Sequence, residues 1–143
     1  KDRDVLIQIL KETIEGLMKY QDKETGVWYQ VVDQGDRTGN YLEASASTMI
    51  VYAMAKGVRK GYLSTELAKE AKKAYQGVID QFVTVTKQGL VNLNKNCSVA
   101  GLGPDSTPHR DGSFEYYISE PIVVNDGKGV GAFILASCEL EAL

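Results

Sequence analysis

The segment "YLEASASTMIVYAMAKG", residues 41–57, constrains the fold more than any other part of the chain. After Glu43 it carries Ala, Ser, Thr, Met, Ile and Val around nearly the whole circumference of a helix, so no face of that helix is suited to water. The pattern predicts an enclosed helix from Tyr41 to Lys56, with Gly57 at the position of a C-terminal stop. Such a helix needs neighbouring elements on every side.

Amphipathic helices stand on both sides of this segment. Residues 4–20 place apolar side chains at three- and four-residue spacing among Lys, Glu and Gln, and residues 65–83 do the same, with Ser64 as the predicted N-cap. The closing helix, from Lys128 to the end of the chain, begins with small apolar residues. Each amphipathic helix is therefore followed by an enclosed one, which predicts a ring or stack of αα-hairpins of which this chain holds two.

Short extended runs connect the helices. The segments "VWYQVV", residues 27–32, and "TKQGLVNLN", residues 86–94, predict strands or hairpin arms. A long loop from about residue 95 to 112 precedes "SFEYYISEPIVV". Trp28 and Tyr29 lie in the first run, where we expect them to wedge between outer and inner helices in preference to stacking on a ligand.

Charge and cysteine content narrow the class of partner. The net charge of −3 provides no long-range attraction for phosphate backbones, and no run approaches the ~18 apolar residues of a membrane span. We therefore expect neither a nucleic acid nor a membrane as partner. Cys97 and Cys138 are predicted to be free thiols, with Cys138 buried in a helix, because no His or Cys lies at metal-ligand spacing. Asn96-Cys97-Ser98 matches a glycosylation sequon, a pattern too short to decide the compartment.

The segment "GKGVGA", residues 127–132, matches a loose dinucleotide-binding fingerprint. That interpretation requires a second strand and an acidic residue about 20 positions further on, within a βαβ unit. A steric interpretation is preferred, because nothing before residue 122 alternates strand and helix. On this interpretation the first glycine makes a turn, Gly129 and Gly131 allow close backbone approach, and Asn125 or Asp126 caps the helix.

Catalytic motifs are sparse. The chain contains no G-x-S-x-G, no H-E-x-x-H and no Cys/His pairing, so serine acyl transfer and zinc hydrolysis have no support. Paired carboxylates of a glycosidase are compatible with the composition. The candidates by residue type are Asp33, Asp36, Glu43, Asp111, Glu115, Glu120 and Asp126.

Long blocks of the sequence resemble one known family. The blocks are "QDKETGVWYQVVDQGDRTGNYLEASASTMIVYAMAKGVRKGYL", "GLVNLNKNCSVAGLG" and "RDGSFEYYISEPIVVNDGKGVGAFILAS". They resemble the C-terminal part of the unsaturated rhamnogalacturonyl hydrolases, glycoside hydrolase family 105, which are relatives of the family 88 unsaturated glucuronyl hydrolases. The resemblance spans essentially the whole chain.

The resemblance implies an all-α fold, part of an (α/α)6 toroid of αα-hairpin repeats with short β-hairpin arms. Residues 1–143 would form the C-terminal portion of a single domain whose N-terminal hairpins are missing here. It also implies hydration of the C4=C5 double bond of unsaturated galacturonyl-rhamnose by an aspartic acid, with no metal and no organic cofactor. The family's catalytic aspartate and its Arg-Gly-Asn-Gly-Trp stretch precede the matched region. We therefore assign no catalytic residue and predict that this chain by itself is inactive.

In such toroids the pocket lies where the inner helices begin. The loops "QGDRTGNYLEASAS" and "HRDGSFEYYISEPIVVNDGKG" are therefore expected to face it. Lys128 is the first candidate for contact with a substrate carboxylate or hydroxyl, because it adds a positive charge at a helix N-terminus, where the fold favours an acid. Asn125, Glu43 and Ser45 follow as further substrate-binding candidates.

The expected partner is an unsaturated oligosaccharide, in the cytoplasm or periplasm of a bacterium. We also expect the chain to self-associate, because two hairpins leave the apolar sides of helices 41–56 and 129–143 uncovered. The alternative function is a noncatalytic helical-toroid module for binding or interaction.

Overall fold

The computed structural model describes residues 2–103, 105, 107 and 109–143, which form two helical hairpins and two small antiparallel sheets. The elements are α1 (Asp2–Met18), α2 (Ala44–Arg59), α3 (Leu67–Phe82), β1 (Val83–Val85), β2 (Val91–Leu93), β3 (Asn96–Cys97), α4 (Phe114–Ser119), β4 (Ile122–Val123) and α5 (Gly127–Glu141). Within these described ranges no helix is both long enough and apolar enough to cross a bilayer.

Helix α2 is the enclosed helix at the centre of the fold. It packs against α3 and α5, and Ile14 of α1 joins the same core. Its buried residues are Ala44, Ser45, Ser47, Thr48, Ile50, Val51, Met54, Ala55, Gly57 and Val58. The prediction of an enclosed helix is confirmed, and the small residues Ala, Ser and Gly explain how neighbours come close to it on several sides.

The predicted end of this helix is wrong, because Gly57 lies inside α2. A Cβ at Gly57 would stand 2.6 Å from the Leu63 side chain, so this glycine provides room for packing. The helix continues to Arg59, and the chain reverses at Gly61, whose φ of 70° is left-handed. Leu63 can fold back onto the helix because of this turn.

The two inner helices, α2 and α5, run parallel to each other. Their C-terminal ends meet where Arg59 Nη2 donates to Glu139 Oε1 at 2.9 Å. Their N-terminal ends both reach strand β3: Ala44 N donates to Lys95 O at 3.0 Å, and Lys128 Nζ donates to Ser98 O at 2.8 Å. The hydrogen bonds from the Arg59 guanidinium lower the pKa of Glu139.

The first extended run, residues 27–32, does not form a strand. Only Tyr29 pairs, with Leu42, as an isolated bridge. Trp28 is fully buried, donating from Nε1 to Leu17 O at 2.8 Å while its backbone N donates to Ser47 Oγ at 3.1 Å. Trp28 thus ties α1 to α2, through its indole on one side and its backbone N–H on the other, which confirms that it is a wedge. These contacts with helices take the place of a sheet ladder.

The second extended run does form a hairpin, in which β1 pairs with β2. The structure also adds a pairing that the sequence pattern did not predict: β3, at the start of the long loop, pairs with β4 through Asn96–Val123 and Cys97–Ile122. Both cysteines are free, but Cys97 is buried and Cys138 is exposed, the reverse of the expected burial. Helix α5 turns Cys138 outward because its own buried residues are Gly129, Ala132 and Ala136.

Uncovered apolar surface lies on α5 and α1. Ile134 and Leu135 of α5 are 56% and 49% exposed. Val5, Leu6 and Ile9 of α1 are also exposed. Helix α2 contributes only Met49 among the described large apolar residues, because α3 and α5 cover its other sides. The expectation of an uncovered apolar side is thus confirmed for α5 and wrong for most of α2.

Two helical glycines give a test of this packing. A Cβ at Gly77 in α3 would stand 2.1 Å from Thr25 O, whereas nothing lies within 4 Å of a Cβ at Gly16 in α1. We expect Gly77→Ala to lower the free energy of unfolding by about 2 kcal/mol, because a backbone carbonyl cannot move aside cheaply. The matched Gly16→Ala should raise it by about 0.5–1 kcal/mol. Urea titration measures both, and equal stability of Gly77→Ala and the parent would contradict the packing described.

Candidate functional site

The N-terminal ends of α2 and α5 meet at strand β3, and this face is the candidate site. Two segments lead into these helices: residues 33–43 before α2, and residues 109–126, which include α4 and β4, before α5. Both segments contact the same stretch of chain, since Glu43 accepts from Cys97 N and Pro121 O accepts from Ser98 N. All four predicted site residues, Lys128, Asn125, Glu43 and Ser45, lie at this end.

Glu43 is the most buried carboxylate of this face, with 1% of its surface exposed. As the N-cap of α2, it accepts from Ser45 N at 3.1 Å and Ala46 N at 2.6 Å. It also accepts from Ser45 Oγ at 2.8 Å and, across the fold, from Cys97 N at 2.8 Å. Both oxygens of this carboxylate are thus engaged by the protein, and Ser45 is one of its partners.

Lys128 lies at the start of α5 beside the residue that caps it. The cap is Asp126, which accepts from Lys128 N at 2.9 Å and from the ammonium Nζ at 2.6 Å. The same ammonium donates to Ser98 O at 2.8 Å, and the hydrogen bonds from Lys128 lower the pKa of Asp126. Asp126 therefore offsets the unfavourable lysine charge at the helix N-terminus. The Lys128 side chain is 48% exposed.

Asn125 makes the turn into α5 with a left-handed φ of 57°. Its Oδ1 accepts from Leu93 N at 2.8 Å, and its Nδ2 donates to Asn92 Oδ1 at 2.8 Å. The side chain therefore joins β2 to the start of α5. Asparagine suits this position because it tolerates left-handed backbone better than most residues.

These contacts correct part of the steric interpretation of "GKGVGA". The turn is made by Asn125 and not by Gly127, and no atom lies within 4 Å of a Cβ at Gly127 or Gly131. Only Gly129 permits a close approach, since its Cβ would stand 1.8 Å from Asn96 Oδ1. The described strands pair antiparallel, so the parallel βαβ unit of a dinucleotide fold has no counterpart among them.

Asn96, the sequon asparagine, is fully buried. Its Nδ2 donates to Leu93 O at 2.7 Å. A glycosylated asparagine has to reach solvent, so this fold is incompatible with a glycan at Asn96. The side chain instead fills the space between β2 and α5.

A second polar cluster lies beside Glu43 and was not predicted from the sequence. The Tyr41 hydroxyl is shielded from solvent without a well-aligned hydrogen bond, and burial raises the pKa of Tyr41 far above its usual range, with Cys97, Glu43 and Glu120 acting in the same direction. Glu120 accepts from Tyr116 Oη at 2.7 Å. Tyr41 lies in a loop and Tyr116 in a helix of six residues, so neither gives a periodic signal and only the fold brings these residues together.

At this face one half-exposed ammonium, that of Lys128, lies beside carboxylates that are already engaged by the protein. Among the residues that the structure describes, no group of three His, Cys, Asp or Glu side chains could hold a metal ion. A large cleft lies elsewhere, between α1 and the α2–α3 connection, where Ile14, Tyr62 and Leu67 line it. It is remote from the ends of α2 and α5 where the two segments converge.

Sequence and structure comparisons identify the family. The sequence profile described as Glycosyl Hydrolase Family 88 matches residues 1–143. The chain belongs to this family. "Protein Atu3128" from Agrobacterium fabrum and the "24.9 kDa protein in picA locus" from Rhizobium radiobacter are each 38% identical over 120 residues, which are 81% of this chain and 52% of each relative. The chain thus spans about half the length of the curated relatives it matches.

Solved structures agree with the family and the fold. A family 105 glycoside hydrolase from C. acetobutylicum ATCC 824 is 59% identical and superimposes with a TM-score of 0.96 over 100% of this chain and 39% of that chain. A possible family 105 member from Salmonella enterica serovar Paratyphi A is 29% identical, with a TM-score of 0.76 over 98% of this chain and 32% of that chain. The chain is thus mostly helical, with short antiparallel strands and the toroid fold of its family 105 neighbours, as predicted.

The contribution of the Glu43 cap can be tested by measuring the free energy of unfolding. Glu43→Ala should lower the free energy of unfolding by about 2–3 kcal/mol, because α2 loses its cap and the buried Cys97 N–H loses its acceptor. Glu66 is a matched control, since it is the N-cap of α3 but makes no side-chain cap hydrogen bond. Glu66→Ala should change stability by less than about 0.5 kcal/mol. Urea titration compares the two, and similar losses in both variants would refute the role given to Glu43.

Proposed function

We propose that the protein carrying this chain hydrates the C4=C5 double bond of unsaturated galacturonyl-rhamnose and so releases the unsaturated uronate. The observation that carries the proposal is the 59% identity, over the whole chain, to a family 105 glycoside hydrolase. The family profile over residues 1–143 supports glycosidase chemistry. On this proposal residues 1–143 form the C-terminal portion of one (α/α)6 domain, and further hairpins precede them.

The proposed reaction needs one carboxyl group that acts first as an acid and then as a base. An aspartic acid gives its proton to C4, and water adds its oxygen to C5 while the same aspartate accepts the proton of that water. The resulting hemiketal at C5 opens and releases the sugar from rhamnose. Proton transfer and water addition balance without a metal or organic cofactor.

The buried carboxylates at the candidate site support a catalytic aspartate outside residues 1–143. Glu43 accepts four hydrogen bonds, and Asp126 caps α5 while pairing with Lys128. Glu120 is engaged by Tyr116. A general acid and base has to exchange its proton with the substrate, whereas these three carboxylates serve the architecture.

Lys128 is the residue that we propose to contact the substrate uronate. An ammonium group has three N–H donors, and two of them point to Asp126 and Ser98. The side chain is half exposed, so the third donor can reach a ligand carboxylate. For Glu43, Ser45 and Asn125 the contacts favour an effect on substrate through the shape of this face, because their polar atoms already bind the protein.

The noncatalytic binding module is the second candidate function. The same engagement of Glu43, Asp126 and Glu120 favours it, since a binding surface can use the exposed Lys128 ammonium and needs no proton-transfer group. Under this alternative the longer protein binds unsaturated oligosaccharides and leaves their ultraviolet absorbance unchanged.

The loss of ultraviolet absorbance of the unsaturated disaccharide separates these candidates. We expect turnover by the longer polypeptide that carries this sequence and none by the 143-residue chain. In the longer polypeptide Lys128→Ala should raise KM about tenfold, as expected for the loss of one charged contact worth roughly 1.4 kcal/mol. Lys87→Ala, in the exposed turn between β1 and β2, is the matched control and should leave KM unchanged. Binding of the disaccharide without turnover by the longer polypeptide would favour the module, and turnover by the 143-residue chain would refute an external aspartate.

We also propose that the isolated chain self-associates through α5. Ile134 and Leu135 are exposed, and an apolar groove beside them is lined by Val91, Leu93, Val130 and Phe133. Light scattering should give a mass above the 15.7 kDa monomer. The double variant Ile134→Glu, Leu135→Glu should lower that mass, whereas Tyr20→Glu, which changes an exposed aromatic residue away from α5, should not. A monomeric parent chain with a cooperative melt would contradict this proposal.

A further inference from the structure

Glu120 is a buried carboxylate at the C-terminal end of α4 and has no part in the proposed chemistry. It is 9% exposed, accepts from Tyr116 Oη at 2.7 Å, and faces Arg110 Nε at 3.6 Å. Burying a carboxylate is costly unless its partners compensate. The contacts of Tyr116 and Arg110 therefore indicate the structural role of the Glu120 carboxylate.

Both partners of Glu120 connect to the same pair of segments, Gly101–Gly103 and Arg110–Gly112, which we call the stem pair. The Tyr116 hydroxyl accepts from Gly101 N at 3.2 Å, which fixes the first segment. Arg110 belongs to the second. The two segments also pair directly, with Gly103 N donating to Arg110 O at 3.1 Å, and Leu102 lies where a Cβ of Gly112 would stand. One carboxylate thus holds both segments, one through each partner.

Helix α4, which carries Glu120, is itself fixed to the segment leading into α2. The Arg37 guanidinium lies 3.8 Å from the centre of the Phe114 ring and pairs with Glu115. The Ile118 side chain occupies the space beside Gly39, 2.9 Å from where its Cβ would be. The network around Glu120 therefore connects the stem pair to α4, which is itself fixed to the segment before α2.

The stem pair lies next to the proposed substrate contact. Gly101 is three residues after Ser98, whose carbonyl holds the Lys128 ammonium. Ser98 N in turn donates to Pro121 O at 2.9 Å, directly after Glu120. The same short stretch of chain thus joins Glu120, the stem pair and Lys128.

We propose that Glu120 is a positioning residue that holds the stem pair against the N-terminal face of α2 and α5, and that the stem pair thereby sets the affinity of this face for its carbohydrate. The part concerning affinity rests on the proposed function. Glu120 acts through Tyr116 and Arg110 and does not itself touch the substrate, so its loss weakens binding and leaves the chemical step unchanged.

Amide hydrogen exchange of the 143-residue chain, followed by NMR, tests the positioning without any substrate. Glu120→Ala should speed exchange at Gly101 and Gly103 about tenfold or more, because local opening becomes easier when the holding contacts are removed. Glu120→Gln keeps an acceptor for Tyr116 and should give a smaller increase. Glu24→Gln, an exposed carboxamide change far along the chain, is the control and should match the parent.

Tyr116→Phe is a second variant for the case that Glu120→Ala does not fold, since it removes one hydroxyl and keeps the ring. It should speed exchange at Gly101 and, through the pairing of the two segments, at Gly103. If Glu120→Ala folds and its exchange at Gly103 is unchanged, the positioning role is overturned. If Glu120→Ala does not fold, unchanged exchange at Gly103 in Tyr116→Phe overturns it instead.

Kinetics of the longer polypeptide on the unsaturated disaccharide test the part concerning affinity. Glu120→Ala or Tyr116→Phe should raise KM about tenfold with kcat within about twofold of the parent, and Glu120→Gln should restore most of the affinity. A fall in kcat at unchanged KM indicates only a smaller folded fraction and overturns the proposal. If the parent shows no turnover, the proposed function and the effect on KM both fail, whereas the exchange result still decides whether Glu120 holds the stem pair.

Discussion

The buried carboxylate of Glu43 is the interaction on which the rest of this structure depends. A helix N-terminus leaves backbone N–H groups without partners, and an acid there satisfies them while complementing the helix dipole. Glu43 does this for α2 and also accepts from Cys97 N, at the strand that the start of α5 contacts. One side chain therefore helps to fix the position of the two inner helices relative to each other along their axes.

The face built around this carboxylate separates architecture from chemistry. Its buried acids Glu43 and Glu120 accept hydrogen bonds from backbone N–H groups and from Tyr116, and the partly exposed Asp126 pairs with Lys128. Lys128 remains half exposed at the rim. The acids of this layer thus serve capping and packing, whereas the Lys128 ammonium is accessible from solvent.

Much of the fold could be predicted, because the burial of one helix face gives the sequence a periodic pattern of apolar residues. An apolar circumference indicated that α2 is enclosed, and one-sided stripes indicated that α1 and α3 are outer helices. Candidate residues were harder to interpret, since Glu43 looks the same in sequence whether it is a catalyst or a cap. Gly57 was assigned to a helix end on general preference, yet it lies inside α2, where Leu63 requires the space. Asn125, considered as a cap, instead makes the turn.

The sequence by itself determined the alternation of outer and inner helices, the wedge at Trp28 and the family, because each is encoded by spacing or by long runs of residues. Only the tertiary structure decided the pairing of β3 with β4, the cluster of Tyr41, Cys97 and Glu120, and the connection of both helix starts through residues 95–98. These features join residues tens of positions apart by single hydrogen bonds. Such contacts have no periodicity, and they arise only after the packing of small residues has brought α2 and α5 side by side.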